Sequence, residues 1–268
     1  MKDSLGDRIK GKFENVTRFC LPQRTYGIVR IDGKAFHTFT KNLERPHCKE
    51  LAGAMDAAAL ALAKSMQGCQ FAYGQSDEYS FLFTDLSKDE KGQYKDDTEM
   101  WFNGNIQKIA SVSASIFTAN FNQQWGYVAP RKGYGPAVVN LAMFDARVFV
   151  IPPRTDVKNY FIWRQQDATR NSLSMLASCH FSHKELQGKD AEAKHEMLHT
   201  VGVNWNNMPI TFKRGRVIRR VPNTRTVSFV HKKTQKLQEI KVEEMAWTVD
   251  DKIPVFTKEK AYLEELIP

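Results

Sequence analysis

In the first 152 residues, short runs of strand character alternate with segments of helical period in the order strand, helix, strand, strand, helix, strand. Tyr26–Ile31, Gln70–Tyr73 and Tyr79–Phe83 are rich in aromatic and β-branched residues, and 140–151 supplies a fourth run that can bend at Asp145. Between them, residues 47–67 set Leu51, Ala54, Met55, Ala58, Leu62 and Met66 on one helical face before Gly68, and 101–124 do the same with Ile106, Ile109, Ile116 and Phe117. This order is the βαββαβ unit of ferredoxin-like α+β folds, an antiparallel sheet with helices on one face. A right-handed crossover makes the first two strands parallel and inserts the third between them. The C-terminal end of strand one then lies beside the N-terminal end of strand three.

That topology gives meaning to two acidic turns. Asp32 and Gly33 follow the first strand, and Ser76, Asp77 and Glu78 fill the tight turn before the third, so three carboxylates converge. Carboxylates held together repel, and such groups hold divalent cations. Two Mg²⁺ about 4 Å apart would orient an attacking hydroxyl and stabilise a leaving pyrophosphate. Gly33 permits close backbone approach, and the amides after it can form a nest for a triphosphate whose charge Lys34, Arg45 or Lys108 could neutralise.

The 268-residue chain is long enough to bury a core without disulfides. No apolar run nears the ~18 residues of a membrane helix, and no secretion signal core is present. The four cysteines lack Cys-x-x-Cys spacing. Free thiols and a cytoplasmic location, away from membranes, are expected. Lys213 to Lys241 hold ten Lys/Arg and a single acid, which accounts for the whole net charge of +9. A polyanion, most simply nucleic acid, suits this field.

After Pro152 and Pro153 the pattern changes, so we expect a catalytic domain with an N-terminal arm over 1–152 and a helical, then basic and β-rich, region packed on it over 153–268. A long helix is expected over 156–180 and one or two shorter ones over 182–201. Strands are expected over 216–242, with turns near Pro222–Asn223 and Lys232–Lys233. On the long helix, Arg164, Arg170 and Asn171 form a polar face for nucleotide or RNA, or simply ion-pair with Asp167. His195, Glu196 and His199 match the H-E-x-x-H zinc pattern, but no third-ligand motif follows. Cys179, His180 and His183 fit no standard zinc spacing.

Five motifs together resemble the tRNA-His guanylyltransferase family: residues 30–37 (Arg30 to His37), 73–81 (Tyr73 to Phe81), 144–148 (Phe144 to Val148), 163–167 (Trp163 to Asp167) and 204–209 (Asn204 to Pro209). The resemblance implies a polymerase/cyclase-type palm working in the 3′-to-5′ direction: activation of a tRNA 5′-monophosphate by ATP or GTP, attack by the 3′-hydroxyl of an incoming nucleotide, and removal of pyrophosphate. It implies Asp32, the Gly33 carbonyl and Asp77 as metal ligands, with Glu78 supporting. Lys34, Ala35, Phe36 and His37 become the triphosphate cradle, and Ser76, Lys108 and Ser111 further phosphate contacts. A homotetramer is also implied.

One departure separates this chain from the eukaryotic pattern, in which His-Ile-Asn-Asn follows the Trp-Arg-Gln segment. Here the run is Thr169-Arg170-Asn171-Ser172. That resembles the guanylyltransferase-like branch, which favours template-directed repair of 5′-truncated tRNAs. The expectation is therefore templated addition of nucleotides to tRNA 5′ ends, with Lys213, Arg214, Arg216, Arg219 and Arg220 holding RNA. Addition of G at position −1 of tRNA-His is the alternative. A nucleotidyl cyclase, a non-catalytic RNA-binding protein and a zinc protease are the competing classes.

Overall fold

A computed structural model of the chain describes residues 3–134, 141–230 and 237–268. The N-terminal arm holds α1 (Ser4–Ile9), and the sheet begins with β1 (Tyr26–Gly33). Then come α2 (Phe36–Phe39), α3 (Lys49–Ser65), β2 (Cys69–Gln75), β3 (Glu78–Thr84), α4 (Ile106–Val128) and β4 (Phe144–Val150). The second half contributes α5 (Arg154–Ser178), α6 (His183–Leu186), α7 (Ala191–Thr200), α8 (Ile210–Arg214), β5 (Arg216–Val230), β6 (Leu237–Asp250) and α9 (Lys260–Leu266). Strand order is β4-β1-β3-β2-β5-β6, every neighbouring pair antiparallel. β3 lies between β1 and β2, as the crossover rule requires.

Both faces of the sheet are covered, where the βαββαβ unit alone would cover one. Val29, Ile31, Phe81 and Phe83 pack against Met55 and Leu62 of α3 and Phe117 and Phe121 of α4. Ile28, Phe71 and Leu82 point the other way, onto Val157 and Phe161 of α5 and Phe256 and Leu263 near the C-terminus. Strands buried on both sides read as continuous apolar runs.

Three local expectations change. The helix expected over 101–124 breaks: Phe102 and Asn103 take positive φ, and the Asn105 side chain accepts the Lys108 amide as the cap of α4. β4 does not bend at Asp145, which stays in register opposite Asp32. No turn forms at Pro222–Asn223; they lie within β5, opposite Met245 and Glu244. β2 pairs only with Arg216–Ile218, so beyond Ile218 the outer edge of β5 is free and the missing proline N–H breaks no ladder. The turn expected at Lys232–Lys233 lies outside the described residues.

Candidate active site

β1 ends, and β3 begins, at the same edge of the sheet. Asp32 pairs with Glu78 on one side and with Asp145 on the other. Directly paired residues share a face, so three adjacent strands present a row of carboxylates. Two residues along, Arg30 pairs with Ser80 and Arg147, giving a basic row on that face. The rows interlock: Arg147 donates to Asp32 at 3.4 Å and lies 3.8 Å from Asp145. Arg30 donates to Glu78 Oε2 at 2.5 Å and reaches Asp32 at 4.0 Å.

α5 runs back over this face from the far end of the sheet. Its Tyr160 hydroxyl meets Ser80 at 2.8 Å, and one turn on Arg164 donates to Glu78 Oε2 at 2.6 Å. Two guanidiniums therefore share one carboxylate oxygen, and Glu78 is engaged as a structural anchor beside the acids. Burial still pushes its carboxyl above the usual range; Arg164 and Arg30 oppose this and Asp32 adds to it.

Asp77 is placed differently. Ser76 and Asp77 form the two-residue turn between β2 and β3, with Ser76 in the left-handed region (φ 55°). The Ser76 hydroxyl donates to Asp77 Oδ1 at 2.9 Å, and no cationic side chain among the described residues pairs with Asp77. Burial raises its carboxyl, and nearby Asp32 raises it further. The Ser76 bond, a backbone amide and the more distant Arg30 charge oppose this only in part, and a partly desolvated carboxylate with no ion-pair partner of its own, next to a second carboxylate, is suited to a divalent ion. Mg²⁺ takes oxygen ligands and is commonly held by one or two carboxylates plus substrate phosphates. Asp32, Asp77 and the Gly33 carbonyl fit that donor set.

The segment after β1 folds tightly. A side chain at Gly33 would run into the Phe36 ring, and Ala35 adopts φ 54°. Two non-glycine residues in the left-handed region, Ala35 and Ser76, thus flank the carboxylates, at a cost of about 1 kcal/mol or more each. The cradle differs in detail from expectation. The Lys34 amide donates to the Met143 carbonyl, extending the β1–β4 pairing, so it is not free for an anion. The Phe36 ring is buried against Phe39, Phe121 and Phe144, leaving only its backbone for a ligand. The Lys34 and His37 side chains are exposed. Beside them opens a cavity of about 300 Å³ lined by His37, Arg45, His47, Cys48, Ser76 and Cys179 among others. His47 is held below the usual imidazole range by burial, then by Arg216 and Lys49.

Other expected contacts lie elsewhere. Lys108 and Ser111 sit in the first turns of α4, where Asn105 bridges to Cys20, ahead of β1. Phe121 of the same helix reaches Phe36; thirteen residues of helix put Lys108 roughly 20 Å further along the axis. Within one chain neither Lys108 nor Ser111 joins the cradle. Arg216 is buried, its guanidinium paired with Asp56 of α3 and set 5.3 Å from the Tyr79 ring centre, and Tyr79 donates to Asp56 at 2.5 Å. Lys213 is buried and donates to the Asn206 carbonyl at 2.6 Å. Arg219 binds Glu265 at 2.6 Å and lies over Tyr262. These three, with Arg164, spend their charge inside the protein and are not surface cations for RNA. Arg170, Asn171 and Arg220 are exposed, though Arg170 and Asn171 both donate to Asp167, and Arg214 is half-buried. His195 packs edge-on against Trp205, and no group of three or more His, Cys, Asp or Glu among the described residues is arranged for a metal ion, so the zinc pattern gains no ligand set and Asp32, Asp77 and Glu78 do not form the three-carboxylate site expected, Glu78 being turned to Arg30 and Arg164.

The motif at 144–148 by itself gives Asp145 and Arg147 no place at the site. Antiparallel pairing of β4 beside β1 was the signal that places them next to Asp32.

The model of the family described as tRNAHis guanylyltransferase matches residues 7–152, and that of the Thg1 C terminal domain matches 155–258. The chain belongs to the tRNA-His guanylyltransferase family. It is a nucleotidyltransferase of that family. The tRNA(His) guanylyltransferase of Kluyveromyces lactis is 33% identical over 231 residues, covering 78% of this chain and 90% of that protein. Among solved structures, a bacterial tRNA(His) guanylyltransferase-like protein in complex with ATP is 39% identical with a TM-score of 0.79, over 98% of this chain and 99% of that one. A bacterial guanylyltransferase-like protein in complex with GTP is 37% identical with a TM-score of 0.72, over 99% of each. No helix among the described residues is long and apolar enough to cross a membrane.

Proposed function

We propose that this chain is a Mg²⁺-dependent enzyme that extends tRNA 5′ ends in the 3′-to-5′ direction under Watson–Crick templating, repairing ends that lack nucleotides. The observation that carries the reading is Asp77: a half-buried carboxylate without an ion-pair partner among the described residues, set at a turn beside Asp32 and Gly33. Two Mg²⁺ held by Asp32, Asp77 and the Gly33 carbonyl would neutralise triphosphate charge and activate the attacking 3′-hydroxyl. The backbone from Ala35 to His37, with Lys34, cradles the phosphates, and the adjoining cavity receives the nucleoside, with Arg45 at its wall. Glu78, fixed by Arg30 and Arg164, sets where β3 presents Asp77. ATP and GTP are the nucleotides for activation and addition, as the bacterial relatives' complexes suggest, with other NTPs entering as the template requires.

Templating is favoured over addition of G at position −1 by residue 169. In place of an imidazole the helix carries Thr169, whose hydroxyl is occupied by the Gln165 carbonyl at 3.0 Å. We also assign a cytoplasmic homotetramer. Leu5, Phe13, Val16 and Phe19 of the N-terminal arm are exposed in a single chain and suit contacts between copies. Substituting Asp32→Ala or Asp77→Ala tests the reading. Each should abolish nucleotide addition to a 5′-truncated tRNA while leaving the fold intact by circular dichroism. Retained addition would overturn it.

A further inference from the structure

α5 crosses the acidic row with one stripe of side chains, Tyr160, Trp163, Arg164 and Asp167, at helical spacing. Three of these are tied down. Tyr160 is bonded to Ser80, Arg164 to Glu78, and Asp167 faces Arg164 at 3.5 Å. Trp163 is the exception. It is 47% exposed, yet its ring is fixed on one side: the Arg164 guanidinium lies 4.6 Å from the ring centre and the Tyr160 ring 6.0 Å away. The guanidinium that stacks on the indole is the one that binds Glu78. An oriented aromatic surface therefore stands beside the carboxylates at the distance of one shared side chain.

We propose that Trp163 is the stacking platform for the 5′-terminal nucleobase of the RNA substrate. Stacking on an aromatic ring is tolerant of base identity, which templated repair at different truncation points requires. A base laid on the open part of the indole puts its 5′-phosphate toward the row of Asp32, Glu78 and Asp145. Arg147, paired with Asp32, and Arg170, paired with Asp167, are both more than half exposed and can turn from these carboxylates to the backbone phosphates that follow. This inference rests on the tRNA 5′-end reading above.

The test places 2-aminopurine as the 5′-terminal base of a 5′-truncated tRNA and measures its fluorescence on binding the full chain without NTP. Wild type and Trp163→Phe quench the probe; Trp163→Ala binds with quenching largely lost. In turnover, Trp163→Ala raises the KM for tRNA about tenfold with the KM for NTP unchanged, as loss of about 1.4 kcal/mol of stacking requires. A tRNA abasic at its 5′ residue costs wild type the same factor and costs Trp163→Ala nothing more. Quenching by Trp163→Ala equal to wild type, or an equal further loss on the abasic tRNA, overturns the platform. So does a change in sedimentation with quenching intact, which would assign the ring to contacts between copies. Quenching by a wild-type chain that adds no nucleotide leaves the platform standing and overturns the catalytic reading. A wild-type chain that binds no tRNA overturns both.

Discussion

Asp77 loses charge solvation on folding, and the Ser76 hydroxyl, a backbone amide and the Arg30 charge offset this only in part. Its raised carboxyl has a definite consequence for the metal-free protein. Below the ordinary carboxylate range the group is protonated in both folded and unfolded chains. As pH rises through that range the unfolded chain ionises first, and the stability contributed by the protonated form is lost by the time the folded group ionises. Asp77→Asn should therefore denature at higher temperature than wild type near neutral pH without metal, with the gap closing as pH falls below about 4. It should also be inactive. A lower melting temperature for the variant near neutral pH would contradict the placement of this carboxylate. Arg164 behaves in the opposite sense. Removing it leaves Glu78 with Arg30 alone in a mostly buried site, so Arg164→Met should cost about 3 kcal/mol in a denaturant titration. It should lower kcat more than it weakens tRNA binding. A variant that loses only tRNA affinity would restore the surface role that the sequence suggested for it. Composition counts charges without saying which are buried. Arg164, Lys213, Arg216 and Arg219 were legible as basic residues and not as internal ones.

The strand and helix pattern of the first half was readable because each element carried its own period, and topology followed from chirality. The same topology also bore on Lys108 and Ser111. β3 runs away from the acidic edge, so α4 must begin at the far end of the sheet and return, bringing Phe117 and Phe121 to the site and leaving its first turn remote. Motif resemblance transfers residues without transferring which end of a helix faces the site within one chain. Partners far apart in sequence were likewise invisible. Arg216 opens β5, reached through Gly215 at φ 79° where the chain passes close to the Gly74 carbonyl, and its ion pair with Asp56 joins the second half of the chain to α3. Arg216→Met alone strands Asp56 with Tyr79, and Asp56→Leu alone strands a buried guanidinium. Each should cost about 3 kcal/mol or more, and the double variant should recover much of it. Additive losses in urea unfolding would show that the pair is not the link.

At the scale of the molecule, the basic segment is more divided than its composition implies. Three of its cations are structural, and β6 lays Glu239, Glu243 and Glu244 alongside Ser228, Thr224 and Asn223, with Arg225 bound to Glu244 at 3.1 Å. Among the described residues of the segment, Arg220 remains exposed, stacked 4.7 Å over Trp247. Arg220→Ala should weaken binding uniformly across tRNAs and flatten the salt dependence of log K by about one unit of slope. An unchanged slope would remove Arg220 from the RNA surface. Templating at the 5′ end is open to a direct assay: incubate the wild-type protein and Mg²⁺ with a tRNA lacking its 5′ nucleotide, vary the opposing 3′-strand base through all four identities, and supply each NTP in turn. The added nucleotide should track the Watson–Crick complement in every case. Addition of G whatever the opposing base, or addition only to full-length tRNA-His, would contradict it.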